Sequence, residues 1–230
     1  MQVLIDAGIL LASYVIGSVP FGLIVVKLMT GKDVRTIASG RTGGTNAMRA
    51  AGPWAGVLTA VLDILKAAAT VWLAQVVTPN VWIHTLAPIV AVIGHNYSIF
   101  LIERDPNGRI RLRGGAGGAA AGGGAFGLWP PVAFFLIPLG LLTWYVTGYA
   151  SVTTLSIGVM TILIFGVRAA RGLGPWAYVF YGLLVELLMI WALRPNLKRL
   201  MDGTERRHGL PVRLQQLKQA RRSKSGGKPS

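Results

Sequence analysis

Three stretches of this 230-residue chain mix basic side chains with glycines and small hydroxyl or amide residues, the combination that binds phosphate. The first reads Gly31-Lys32-Asp33-Val34-Arg35, then Ser39-Gly40-Arg41-Thr42-Gly43-Gly44-Thr45-Asn46-Ala47-Met48-Arg49. Its glycines let the backbone approach a ligand, Ser39, Thr45 and Asn46 can donate hydrogen bonds, and Arg49 can grip phosphate oxygens with two parallel N–H groups. No GxxxxGK[ST] pattern occurs, so nucleotide binding has no support. The second stretch leads from Arg104–Arg113 into Gly114–Gly127, with eight glycines among fourteen positions. Such a run serves either as a close-packing membrane-helix face or as the entry to a helix N-terminus whose free N–H groups hold phosphate. The third follows Arg194 and includes Asn196, Lys198 and Glu205. Asp63 and Lys66, three residues apart in an apolar segment, share a helix face and can pair; a lone charge there would cost roughly 3 kcal/mol or more. Glu186 has no partner in the sequence, and the expectation is that it lines the same cavity. Cysteine is absent and His84, His95 and His208 are widely scattered, so neither thiol nor metal chemistry is expected.

The elements that position these residues must lie in a membrane. With 53% hydrophobic and only 13% charged residues, the chain has too little charge to clothe a soluble globule. The net charge of +15 would suit a nucleic-acid binder, but the basic residues sit in blocks between long apolar stretches, as in membrane loops, and no nucleic-acid partner is expected. Residues 7–29, 54–77 and 81–102 read as membrane spans, the first without the basic leader of a signal peptide. Further apolar runs cover 132–147, 151–167 and 175–193. Placing the first basic loop inside puts Arg104, Arg109, Arg111 and Arg113 inside as well, and the tail from Arg194, with eleven Lys or Arg, must follow. That requires an even number of crossings after Arg113, so 114–128 becomes a short fourth span ending at Trp129-Pro130-Pro131. The expected fold is therefore an all-α, polytopic integral membrane protein with seven transmembrane helices, N-terminus outside and C-terminus cytoplasmic. Five spans, with part of 114–167 re-entrant, is the alternative. The segment 206–230 reads as a basic cytoplasmic tail, partly disordered from Lys218 onward.

The order and wording of the blocks resemble one family. Tyr14-Val15-Ile16-Gly17-Ser18-Val19-Pro20-Phe21-Gly22, followed by the Gly31–Arg35 and Ser39–Arg49 segments, resembles the first motif region of the acyl-phosphate:glycerol-3-phosphate acyltransferases, the PlsY family. Leu62-Asp63-Ile64-Leu65-Lys66, Gly94-His95 with Ile99-Phe100-Leu101, Arg113-Gly114-Gly115-x-Gly117, and Asn196–Glu205 are similar to further family motifs, in order. The resemblance implies a multi-pass enzyme of the bacterial inner membrane with three cytoplasmic motif loops (31–49, 103–118, 194–205) in one domain, 1–205. It would transfer a fatty acyl group from acyl phosphate to glycerol 3-phosphate without a cofactor, giving lysophosphatidic acid and phosphate. Ser39 and Arg49 would then hold a substrate phosphate, the Gly114–Gly117 amides would stabilise developing charge, and Asn196 would orient substrate. Gly40, Arg41, Gly43, Thr45, Asn46, His95, Arg113, Gly114, Gly115, Gly117, Lys198 and Glu205 would complete substrate binding, Glu205 bracing its loop against a basic neighbour.

The chain departs from the family pattern at four places. Ala116 stands where the family usually has a phosphate-contacting lysine, Leu193 where it has a histidine, and Arg41 where it has an asparagine. Residues 103–112 read as an inserted cytoplasmic hairpin, with Asp105-Pro106-Asn107-Gly108 as its turn and Arg109 to Leu112 alternating as in a strand. These departures leave two alternatives: a catalytically weakened member that binds phospholipid precursors, and a small-molecule transporter built on Asp63, Lys66 and Glu186.

Overall fold

The computed structural model describes residues 1–105, 107–207 and 212; His208, the 218–230 tail and Pro106 of the hairpin turn fall outside these. The first apolar stretch forms two helices, α1 (Gln2–Ser18) and α2 (Phe21–Thr30), broken at Val19-Pro20. Proline lacks an N–H and disfavours helical geometry at the residue before it, and Val19 sits at φ −58°, ψ 118°. After a 3-10 turn at Val34–Thr36, the first motif ends in a short amphipathic helix, α3 (Gly44–Ala51). Next come α4 (Pro53–Val77) and α5 (Val81–Asn96), the latter ending six residues before the expected 102.

The hairpin forms as the alternation predicts: β1 (Ile102–Arg104) pairs antiparallel with β2 (Ile110–Leu112), with Glu103 opposite Arg111. Four helices follow: α6 (Gly118–Leu128), α7 (Ala133–Thr147), α8 (Ala150–Ala170) and α9 (Ala177–Met201). Among the described residues, five segments are long and apolar enough to cross a membrane: Gln2–Thr30, Pro53–Val77, Pro130–Thr147, Ala150–Ala170 and Ala177–Met201. A count of seven crossings therefore rests on two short helices, α5 with 16 residues and α6 with 11.

The glycine run divides into two parts, a packing face and a turn that enters a helix. Residues 118–127 are a packing face: a Cβ at Gly123 would run into the backbone of Ile64, and one at Gly127 into Val71 and Ala68 of α4. Gly114–Gly117 is instead an irregular turn into α6, with Gly117 at φ 93° as the residue that starts the helix. The main core lies where α4, α5, α6, α8 and α9 meet, around Val71, Val92, Ala121, Phe165, Tyr181 and Met189. Tyr181 donates its hydroxyl to the Ala121 carbonyl at 2.6 Å, which satisfies a buried phenol inside the bundle.

Candidate active site

The first motif is shaped by residues that bind the loop itself. Asp33 accepts from the Arg35 N–H at 2.8 Å and pairs with its guanidinium at 2.6 Å, and that hydrogen-bonded partner holds the Asp33 carboxyl below its usual range. Val34 is buried against Val26 and Ala47, anchoring the loop to α2 and α3. Asn46 is buried too, and its amide nitrogen points at the carbonyls of Val34, Ile37 and Arg41, at 2.9 to 3.0 Å. Asn46 is therefore a clasp of the loop, its amide nitrogen engaged by the protein's own carbonyls. The clasp forces a tight return, in which Ala38 takes φ 45° and Gly40 φ 67°. A left-handed alanine is strained, and it sits immediately before Ser39. Gly43 precedes α3 as its cap, and α3 carries Arg49 back toward Ser39; Thr45, half-buried, stands outside the cavity that results.

That cavity, of about 260 Å³, is lined by Ala38, Ser39 and Arg49 from the first motif and by Asn196, Arg199, Thr204, Glu205 and Arg206 from the third. The three residues expected to do the chemistry, Ser39, Arg49 and Asn196, are thus brought together from sequence positions about 150 apart. Glu205 is buried and, among the described residues, accepts from Ser151 Oγ at 2.6 Å and from Asn196 Nδ2 at 3.1 Å, where the expectation was a basic neighbour. Burial lowers the affinity of the Arg49 guanidinium for its proton, Arg206 adds repulsion, and Glu205 partly offsets both. Three arginines against one carboxylate give a local charge near +2, the complement of a phosphate monoester dianion.

One predicted contact belongs to a neighbour. The third motif is not a loop up to residue 201, because α9 continues through Met201. On a helix, Arg199 follows Asn196 on the same face and lines the cavity, whereas Lys198 is turned from that face and does not. Arg199 and Arg206 line the cavity and were missed; the periodicity of an extended α9 would have exposed Arg199, but nothing in the sequence signals Ser151.

The second motif packs beside this cavity. Thr42 N–H donates to Gly114 O at 3.3 Å, and Gly115 N–H donates to His95 O at 2.9 Å, so the Gly115 amide is not available to stabilise charge. A Cβ at Gly114 or Gly115 would collide with the His95 backbone or ring. Arg41 donates to Gly115 O at 2.8 Å and to Ala192 O, which lays its guanidinium next to Ala116, and burial lowers its hold on its proton. Leu193, at the departure from the family's histidine, is buried. Arg113 pairs with Glu103 at 2.6 Å and borders Gly40.

Beneath the turn lies a buried trio. Asp63 Oδ1 is 2.8 Å from Lys66 Nζ and 3.4 Å from His95 Nδ1, and Lys66 also donates to Val19 O at 2.7 Å, the carbonyl freed by the helix break. The predicted Asp63–Lys66 pair is present, with His95 as an unforeseen third member. Glu186 does not join them: its Oε2 is buried without a hydrogen-bond partner at the α8–α9 contact, against Gly158.

Comparison with known proteins agrees with this geometry. A family model described as glycerol-3-phosphate acyltransferase matches residues 7–203. A glycerol-3-phosphate acyltransferase of Thermus thermophilus is 36% identical over 200 residues, covering 87% of this chain and 94% of that protein. One from Rubrobacter xylanophilus is 35% identical over 207 residues, covering 90% and 96%. The solved structure of PlsY, an integral membrane glycerol 3-phosphate acyltransferase, in its glycerol 3-phosphate form superposes with TM-score 0.77 at 30% identity, over 91% of this chain and 98% of that one. Its lysophosphatidic acid form gives 0.75 at 28% identity, over 89% and 95%.

Proposed function

Because the chain belongs to the glycerol-3-phosphate acyltransferase family, we propose that it moves a fatty acyl group from acyl phosphate to glycerol 3-phosphate at the cytoplasmic face of a bacterial inner membrane. Residues 1–205 act as the single catalytic domain. The observation that carries this reading is the cavity in which Ser39 and Arg49 meet Asn196, Arg199 and Arg206, a cationic cleft open between the first and third motifs. Glycerol 3-phosphate binds there through its phosphate, with Ser39 donating a hydrogen bond, the arginines supplying charge, and Asn196 held in place by Glu205.

The acyl donor is a mixed anhydride and already activated, so the site needs chiefly to hold the two substrates in line. An acceptor hydroxyl attacks the acyl carbonyl carbon, a C–O ester bond forms, and the bond between the acyl carbon and the phosphate oxygen breaks. The phosphate leaves with the electron pair of that bond and takes the hydroxyl proton, so the products are lysophosphatidic acid and inorganic phosphate. Arg41, beside Ala116, supplies positive charge where the family's lysine is missing, a contact worth about 1.5–3 kcal/mol when charged. The transporter alternative loses support, since the buried Asp63 is paired with Lys66 and His95 within the bundle and Glu186 stands apart.

The test is phosphate release from acyl phosphate by the purified protein, with and without glycerol 3-phosphate. Release should require the acceptor and match lysophosphatidic acid formed mole for mole. Tight glycerol 3-phosphate binding with no turnover would instead mark a weakened, precursor-binding member; acceptor-independent release would mark a hydrolase.

A further inference from the structure

The inserted hairpin presents an apolar face that the described residues leave exposed. Cross-strand partners share a face, so Ile102 lies with Leu112 and Ile110 with Arg104, while Glu103 and Arg111 point to the other side. Ile102, Ile110 and Leu112 are 54%, 66% and 38% exposed, and Ile99 and Phe100 just before them are 47% and 55% exposed. A two-stranded hairpin is marginal in water, and exposed apolar strands of this kind invite aggregation unless something covers them.

Three observations say what covers them. The polar face is tied to the first motif, since Glu103 bridges Arg35 at 3.1 Å and Arg113 at 2.6 Å, which turns the apolar face away from the active-site loops. α5, from which the hairpin emerges, has only 16 residues, about 24 Å of helix against about 30 Å of hydrocarbon, so the chain leaves it still at the acyl-chain boundary. The rim is basic: Arg104 and Arg109 flank the apolar face, and the hairpin's two acidic residues are engaged, Glu103 as above and Asp105 with Arg111 at 3.6 Å.

We propose that this hairpin is an interfacial foot, its isoleucines, leucine and Phe100 seated among the acyl chains of the leaflet that faces the active-site loops, and Arg104 and Arg109 among anionic headgroups. The chemistry is that of an amphipathic interfacial segment built on strands, with apolar burial and attraction to anionic lipid acting together. It requires a bilayer around the bundle but does not depend on the acyl-transfer reading.

The chain has no cysteine, so single probes can be placed cleanly. Ile110→Cys and, as the opposite-face control, Arg111→Cys are labelled with an environment-sensitive fluorophore and reconstituted in nanodiscs of pure phosphatidylcholine or phosphatidylcholine with phosphatidylglycerol. Only variants with an unchanged size-exclusion profile are compared. The probe at 110 should emit at shorter wavelength and be quenched by aqueous iodide at least about threefold less than the probe at 111. Adding Arg104→Gln and Arg109→Gln should raise iodide access at 110 in anionic nanodiscs while leaving neutral ones unchanged. Equal quenching at 110 and 111 in both lipid mixtures would overturn the proposal and leave the face to a protein partner.

Discussion

Ser39 and Arg49 carry the substrate-phosphate assignment, so Ser39→Ala and Arg49→Ala should each lower acceptor-dependent phosphate release at least about tenfold, the scale of one charge-assisted contact. Near-normal rates with unchanged thermal unfolding would remove them from the site. Arg199 and Lys198 give a sharper contrast, since α9 turns the first into the cavity and the second away: Arg199→Gln should raise the KM for glycerol 3-phosphate about tenfold, and Lys198→Gln should leave it within about twofold. The same scale explains what the sequence could reveal about the site. Ser39, Arg49 and Asn196 were legible through the resemblance of their motifs to the family's, since composition alone marks the first motif only as a loop able to hold an anion. Asn46 spends its amide nitrogen on carbonyls of the protein, and Arg41 commits two of its five N–H groups in the same way; such pairings exist only once the loop has closed. The Asp63–Lys66 pair was readable from spacing, whereas His95 comes from another helix. Lys66→Met leaves Asp63 uncompensated and should cost about 3 kcal/mol or more, read as a lowered unfolding temperature in detergent; pairing it with Asp63→Leu should restore much of the loss.

At the scale of elements, hydropathy located the helices well but could not fix their ends. α5 stops short because a turn, not a change in polarity, terminates it: Tyr97 leaves helical geometry while Ser98 bonds to Ser18 O at 2.5 Å and Arg113 O at 3.0 Å; α6 ends at Leu128, before Trp129 and two prolines as expected, but starts only at Gly118. α9 runs past its apolar part because its polar last turns remain good helix formers. Pro195 does not stop it, and Gly203, at φ 68°, lies just past its end. Glycine content says only that something approaches closely, and the structure shows where. At Gly123 a Cβ would strike the Ile64 backbone, while at Gly122 it would meet only an Ile157 methyl at 3.7 Å. Gly123→Ala should therefore push α6 off α4 and lower stability by about 1–3 kcal/mol. Gly122→Ala should be neutral or stabilising by up to about 1 kcal/mol, since it removes backbone freedom from the unfolded chain without a clash. Thermal unfolding of the two variants side by side checks both; equal destabilisation would mean that α6 is not packed as described.

For the whole molecule, the contacts between distant elements bear on how the helices alternate, independently of charge counting. Arg41 joins the α6 entry to α9 near Ala192, and Ser151 at the start of α8 meets Glu205 after α9, so the α6 entry, the α7–α8 connection and the third motif share one side. At the other side, Arg168 near the end of α8 stacks on Trp129 at 3.8 Å, just beyond α6. α6 thus leads from the motif side to the opposite side despite its 11 residues, and α7, α8 and α9 then alternate back to the motif side. A helix of about 16 Å can do this where a proline-broken turn and neighbouring helices shield its exit, since irregular backbone is tolerated at membrane depth when buried in protein. These contacts favour seven crossings over five and predict a labelling pattern for single cysteines in intact cells treated with an impermeant maleimide. Pro79→Cys and Leu173→Cys should label from outside, Asn107→Cys and Asp202→Cys only after lysis. The deciding variant is Pro131→Cys: labelling from outside supports α6 as a crossing, whereas protection until lysis would make 114–147 a re-entrant pair and leave five.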